Sequence, residues 1–199
     1  MAGAFPISTA KFTSLGIKSI QNTIISKSVS GKKLARQIDG QRWAFTIQII
    51  TAKRSDVYGD LMAFIVKQRS GKENFTIVPP EITDARGTAS GTPNGTASAG
   101  ATSITLAGTG TGTLKAGDFI KFASHDKVYM VVADQSDIST GTLTIEPPLT
   151  TAVSSTDITY DNVPFTVHLT NDIQEFGVVG SDKDGNALYQ FEIDVEESL

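Results

Sequence analysis

The sequence contains no cysteine and only two histidines, His125 and His168. Without thiols there are no disulfides, thiolate metal sites or cysteine nucleophiles. Two isolated histidines without clustered carboxylates make a poor metal site, so neither a metal nor another cofactor is expected. Long hydrophobic runs are also missing: nothing approaches the roughly eighteen apolar residues of a membrane span. The start, MAGAFPISTAKF, lacks the basic region and apolar block of a signal peptide, so neither membrane insertion nor secretion is expected. Catalytic signatures are equally scarce. The run GTGTGT (108–113) has no Gly-Lys-Ser/Thr ending and leads into a strand rather than a helix, which excludes a phosphate loop. No nucleophile elbow surrounds Ser124, His125 and Asp126, and the chain is expected to be no enzyme.

What is present is an ordinary globular composition over 199 residues, 39% hydrophobic and 19% charged. The net charge of −4 hides a strong asymmetry. Residues 1–83 hold twelve Lys and Arg against five Asp and Glu, a net +7, whereas residues 84–199 hold five against sixteen, a net −11. Such a division suggests either two solvated faces or a surface that meets something charged: nucleic acid, a partner subunit or another copy of the chain. The basic residues are dispersed and carry no aromatic-rich motif, so specific nucleic-acid recognition is not expected.

Three zones follow from patterning. In residues 1–83, IKSIQNTIISKSVSG (17–31) and QRWAFTIQII (41–50) read as strands, the second placing Trp43, Phe45, Ile47 and Ile49 on one face. Between them GKKLARQIDG reads as a hairpin tip with exposed bases. A helix is predicted over about 56–68: Val57, Leu61, Phe64, Ile65 and Gln68 share a face, Ser55 or Asp56 is the candidate cap, and Gly71 the stop. The strand ENFTIVPP (73–80) ends at its prolines.

Composition then changes. Residues 84–101 are Gly, Thr, Ser and Ala with almost no apolar bulk and read as a linker. Beyond them TSITLAG, GDFIKFAS, KVYMVVAD and GTLTIEPPL are short strands of a small antiparallel sheet or barrel. His125 and Asp126 fall between two alternating runs, as the polar tip of a hairpin. The last zone returns to longer strands, with DKDG (182–185) as a turn and Leu188, Phe191, Ile193 and Val195 on one face of the final strand. These strands need partners from the N-terminal zone. The predicted organisation is one β-domain of residues 1–83 plus 157–199, with 84–156 inserted as a small β-domain.

The order of elements resembles a known family. The segments GKKLARQIDGQRWAFT, DVYGDLMAFIVKQRSG, FTIVPP, LKAGDFIKFASHDKVYMVVAD and TLTIEPPL, in that order, are similar to structural proteins of tailed bacteriophages, closest to distal tail or baseplate-hub proteins. The resemblance implies a mainly β fold: a tail-tube-like β-sandwich with one packed helix and an inserted small antiparallel domain. It also implies a homo-oligomeric ring, commonly of six copies, at the distal end of the tail tube. Its partners would be other tail and baseplate proteins, with DNA passing through and the virion as its location. A glycan-binding attachment module and a tube-initiator or wedge component are the alternatives. No catalytic residue comes with the likeness.

Head-to-tail rings need two complementary surfaces on each subunit. Lys32, Lys33, Arg36 and Arg42 are expected to face acidic surface on a neighbour, with Glu192, Asp194, Glu196 and Glu197 as the complementary patch or a lining that repels DNA.

Overall fold

The computed structural model describes residues 3–6, 12–37 and 40–199. Along the chain run strands β1 (Phe12–Ile20), β2 (Thr23–Lys27), β3 (Lys33–Gln37) and β4 (Arg42–Lys53), helix α1 (Gly59–Lys67) and strand β5 (Phe75–Ile77). Strands β6 (Pro93–Ala97), β7 (Ser103–Gly108), β8 (Phe119–Phe122), β9 (Val128–Val131), β10 (Thr142–Glu146) and β11 (Val153–Thr159) follow. The chain continues through β12 (Phe165–Leu169), β13 (Gly177–Ser181) and β14 (Ala187–Glu197). The fold is mainly β, with α1 as the one α-helix among the described residues.

Two large bodies of sheet and a separate two-stranded hairpin, β2-β3, result. A six-stranded sheet runs in the order β1-β4-β14-β12-β5, with β13 also paired to β14, while β6 to β11 close into a barrel ordered β10-β7-β6-β11-β8-β9. The large sheet is thus built from strands on both sides of the barrel in sequence. The long β4–β14 ladder sets its register: Phe45 opposite Val195, Ile47 opposite Ile193 and Ile49 opposite Phe191. Because side chains alternate along a strand, these six all face one side, and all six are buried. Trp43, Phe165, Val167, Phe75, Ile77 and, from α1, Leu61 and Ile65 complete that core. A second core fills the barrel with Ile104, Leu106, Ile120, Phe122, Tyr129, Leu143, Ile145 and Ile158 among others.

Three local expectations are corrected. The hairpin tip lies at residues 28–32, closed by Gly31 at φ +80, and GKKLARQ is largely the returning strand β3, paired with β2 from Thr23↔Gln37 to Lys27↔Lys33. Helix α1 begins after a π-helical turn, Arg54–Tyr58, with no side-chain cap, and ends at Gln68 before Arg69 and Ser70, both at positive φ, rather than at Gly71. The stretch 84–101 holds strand β6, because its small residues meet a crowded core: a Cβ on Gly95 would lie 2.7 Å from Ile104 Cγ2 and 2.9 Å from Phe122 Cε1.

Candidate functional site

The outward face of the large sheet is polar by the same alternation that buries its other face. Glu192, Asp194 and Glu196 stand in a row along β14, opposite Gln48, Thr46 and Ala44 of β4. Each carboxylate has a partner within the chain. Gln48 Nε2 donates to Glu192 at 2.7 Å, Thr46 Oγ1 to Asp194 at 2.7 Å, and Arg42 pairs with Glu196 at 2.8 Å. On the flanking strand, Lys18 Nζ donates to Thr46 Oγ1 at 3.3 Å and His168 of β12 stands opposite Glu196. The face therefore keeps an acidic stripe, partly neutralised at the Arg42 end. Half-exposed pairs of this kind contribute about 0–1 kcal/mol, so the stripe matters more for potential than for stability.

Glu197 lies elsewhere. One residue on, the alternation turns it inward, where it is 1% exposed. Its carboxylate accepts the backbone N–H of Val128 at 2.8 Å and that of Trp43 at 3.2 Å, and it pairs with the buried Lys127. Lys127 also donates to Gln41 Oε1 at 2.8 Å, and Gln41 donates to Ser19 at 3.0 Å. Burial pushes the Glu197 carboxyl up and the Lys127 ammonium down, each opposed by the attraction of the other. Nothing local in the sequence ties residues 41, 127 and 197 together; only the parity of β14 sets Glu197 apart from Glu196.

Lys32, Lys33 and Arg36 sit on the β2–β3 hairpin. Every residue of both strands is exposed, including Ile24, Ile25 and Leu34, with Val29 at the tip. From residue 21 to 37 the arm carries four cations, Lys27 among them, and no acid. Isolated two-stranded hairpins are marginal in water, and this one holds apolar residues on both faces without covering them.

The sheet's edges differ in how they end. Backbone groups of Gly3 and Phe5 hydrogen-bond Thr76, covering the outer edge of β5. No strand among the described residues covers the outer edges of β1 or β13. β13 reads GVVGS, without charge or proline, and exposes Val178 and Val179; β1 has Lys18 as its one charge. Edge strands usually carry charges, prolines or bulges that discourage pairing. β13 carries a bulge at Val179, between Val178 and Gly180, but neither charge nor proline.

Around His125 the side chains form a structural network. Its Nδ1 lies 3.1 Å from Ser124 Oγ and its Nε2 2.8 Å from Tyr129 OH, which in turn accepts the N–H of Thr150 at 3.1 Å. Asp126 turns away, accepting from Lys121 at 3.0 Å and from Thr166 Oγ1 of β12 at 2.9 Å. A shallow cleft of about 410 Å³ opens there, lined by Lys121, Ser124, His125, Asp126, Thr159 and Pro164. With Asp126 engaged by Lys121 and the imidazole held between Ser124 and Tyr129, the His-Asp sequence pair is a hairpin end that docks on the sheet.

Residues 82–163 match the family model described as distal tail protein pb9, B domain. The match covers the whole barrel and less than half of the chain. It supports the resemblance drawn from the residues and indicates a phage distal tail structural protein, with the virion as its place. No curated protein matches the sequence.

Proposed function

We propose that the chain is a ring-forming, non-enzymatic component at the distal end of a phage tail tube, joining the tube to the baseplate. The observation that carries this reading is the pair of edges, β1 and β13, that no strand among the described residues covers, on opposite sides of one sheet and with Lys18 as their one charge. If β1 of one copy pairs with β13 of the next, backbone hydrogen bonds that are unmet in the monomer are satisfied between subunits. Because the two edges differ, the contact is heterologous, and its repetition closes into a ring when the rotation allows, here of about six copies.

Charge supports the same arrangement. The arm bearing Lys32, Lys33 and Arg36 extends from the β1 side, and its apolar residues lose water when it lies on a neighbour. The stripe of Glu192, Asp194 and Glu196 offers either the acidic surface it meets or a lumen wall that repels DNA. Arg42 belongs to that face through Glu196, and Glu197 takes part only as an internal bridge. A glycan-binding role for the barrel would call for exposed aromatic faces, and its Phe119, Phe122, Tyr129 and Tyr160 are all buried.

Analytical ultracentrifugation with negative-stain electron microscopy tests the proposal, using the intact chain and Val179→Lys, which places a guard on the β13 edge. Closed rings from the unaltered chain, lost in the variant, are expected. A monomer of 21.1 kDa at every concentration, or rings indifferent to the variant, would overturn the edge-to-edge assembly.

A further inference from the structure

Three consecutive residues at the end of the β8–β9 hairpin together bind three strands of the large sheet, β12, β14 and β4. Asp126 accepts from Thr166 of β12, Lys127 pairs with Glu197 of β14 and reaches Gln41, and Val128 exchanges two bonds, its N–H to Glu197 and its carbonyl to the Trp43 indole at 3.0 Å. Beside them lies an apolar contact. Phe119 meets Trp43 edge-on at 5.1 Å and Phe165 at 5.6 Å.

The two halves of this junction do different physical work. Apolar burial is non-directional and holds the barrel to the sheet at many angles, whereas hydrogen bonds fix direction. We infer that the Lys127–Glu197 pair with its backbone partners is an orientation key, setting the angle of the barrel on the sheet without adding to folding stability. Burying both charges costs about as much as their attraction returns, which is why well-packed apolar pairs often replace such bridges without loss. The pKa directions agree, since in both groups burial acts against the charged form and is the largest influence. What the pair supplies instead is a carboxylate that spans two backbone N–H groups, one on each body, with the ammonium neutralising it. The inference concerns one subunit and stands whether or not a ring forms.

The absence of cysteine makes the test direct. Spin labels at Thr140→Cys in the barrel and Lys67→Cys on α1, both exposed positions, report the distance between the two bodies. The labelled chain is expected to give one narrow distance distribution. In K127M/E197L the protein is expected to stay folded by circular dichroism while that distribution broadens. K127M alone leaves a bare buried carboxylate, and its Tm is expected to fall by about 10 °C at pH 7 and to recover in part on acidification as Glu197 takes up a proton. An unchanged narrow distribution in the double variant would show that the apolar contact alone sets the angle, and the inference falls. A double variant that does not fold, or melts as low as K127M, would make the pair a source of stability and overturn it equally.

Discussion

The indole N–H of Trp43 donates to the carbonyl oxygen of Val128 at 3.0 Å, so the one tryptophan of the chain has its ring in the core of the large sheet and its polar edge on the barrel. The side chain is 7% exposed and packs on Phe119 from the barrel. Its fluorescence is therefore a reporter of the junction as well as of the sheet.

Trp43→Phe keeps an aromatic ring in the core and removes the donor. Leaving the Val128 carbonyl without that partner is expected to cost about 1–3 kcal/mol. Urea denaturation followed by circular dichroism measures it, and a midpoint equal to that of the unaltered protein would show that the bond has no net worth.

Gly95 is enclosed by side chains of the barrel core. A methyl group there meets Ile104 and Phe122 below 3.0 Å. Gly95→Ala is expected to lower stability by about 1–3 kcal/mol, as overpacked cores do. Gly100 has open space around its Cα but sits at φ +81, so Gly100→Ala tests backbone strain at a turn without any packing clash.

His125 predicts a pH dependence. Burial first, then the charge of Lys121, holds its imidazole below the ordinary value, with Asp126 opposing. Between that lowered value and the unfolded value of about 6.5, the unfolded chain binds a proton that the folded chain refuses. Stability should therefore fall as pH drops through this window. Glu197, whose pKa is raised, acts in the opposite sense, gaining stability as pH falls through its folded value. Thermal melts of the unaltered protein and His125→Gln, compared from pH 7.5 to pH 5.5, isolate the histidine: the variant should lose less on acidification, and parallel curves would contradict the assignment.

Charge reversal on the arm separates electrostatics from edge pairing. Lys32→Glu with Lys33→Glu is expected to weaken assembly and to remove its sensitivity to salt, while the Tm of the monomer stays nearly constant because both side chains are exposed. Assembly that keeps its strength and its salt dependence would mean that the arm meets no acidic surface.

What could be seen in the sequence was whatever is encoded locally. The alternation Trp43, Phe45, Ile47, Ile49 lies on β4 as read; of the helical face, Leu61, Ile65 and the C-cap Gln68 are buried, Phe64 is half-buried and the Val57 side chain lies outside what the structure describes; and the DKDG turn is held by Asp182, which accepts the N–H groups of Asp184 and Asn186. The tip of the arm is not marked in the sequence, because β2 and β3 bury neither face and so leave no alternation to find. Strand β6 was hidden by its small residues, whose size is explained only by the side chains of β7, β8 and β11 that crowd Gly95. The junction of Gln41, Lys127 and Glu197 joins three distant parts of the chain, and no pattern of neighbours announces a contact of that kind. For the candidate interface, charge composition picked out the arm and the β14 stripe but could not separate Glu196 from Glu197, which alternation and the approach of the barrel place on opposite faces.

The small bridge between Ala4 and Thr76 has a consequence for how copies can connect. By occupying the rim of β5 it leaves β1 and β13 as the large sheet's uncovered edges among the described residues, which in the proposed edge-to-edge assembly gives each subunit a valence of two. Units of valence three branch into networks and precipitate; units of valence two with unlike ends can only extend a line or close it. In that proposed assembly, a few hydrogen bonds from residues 3–5 act on the topology of the whole, well beyond the few residues they order.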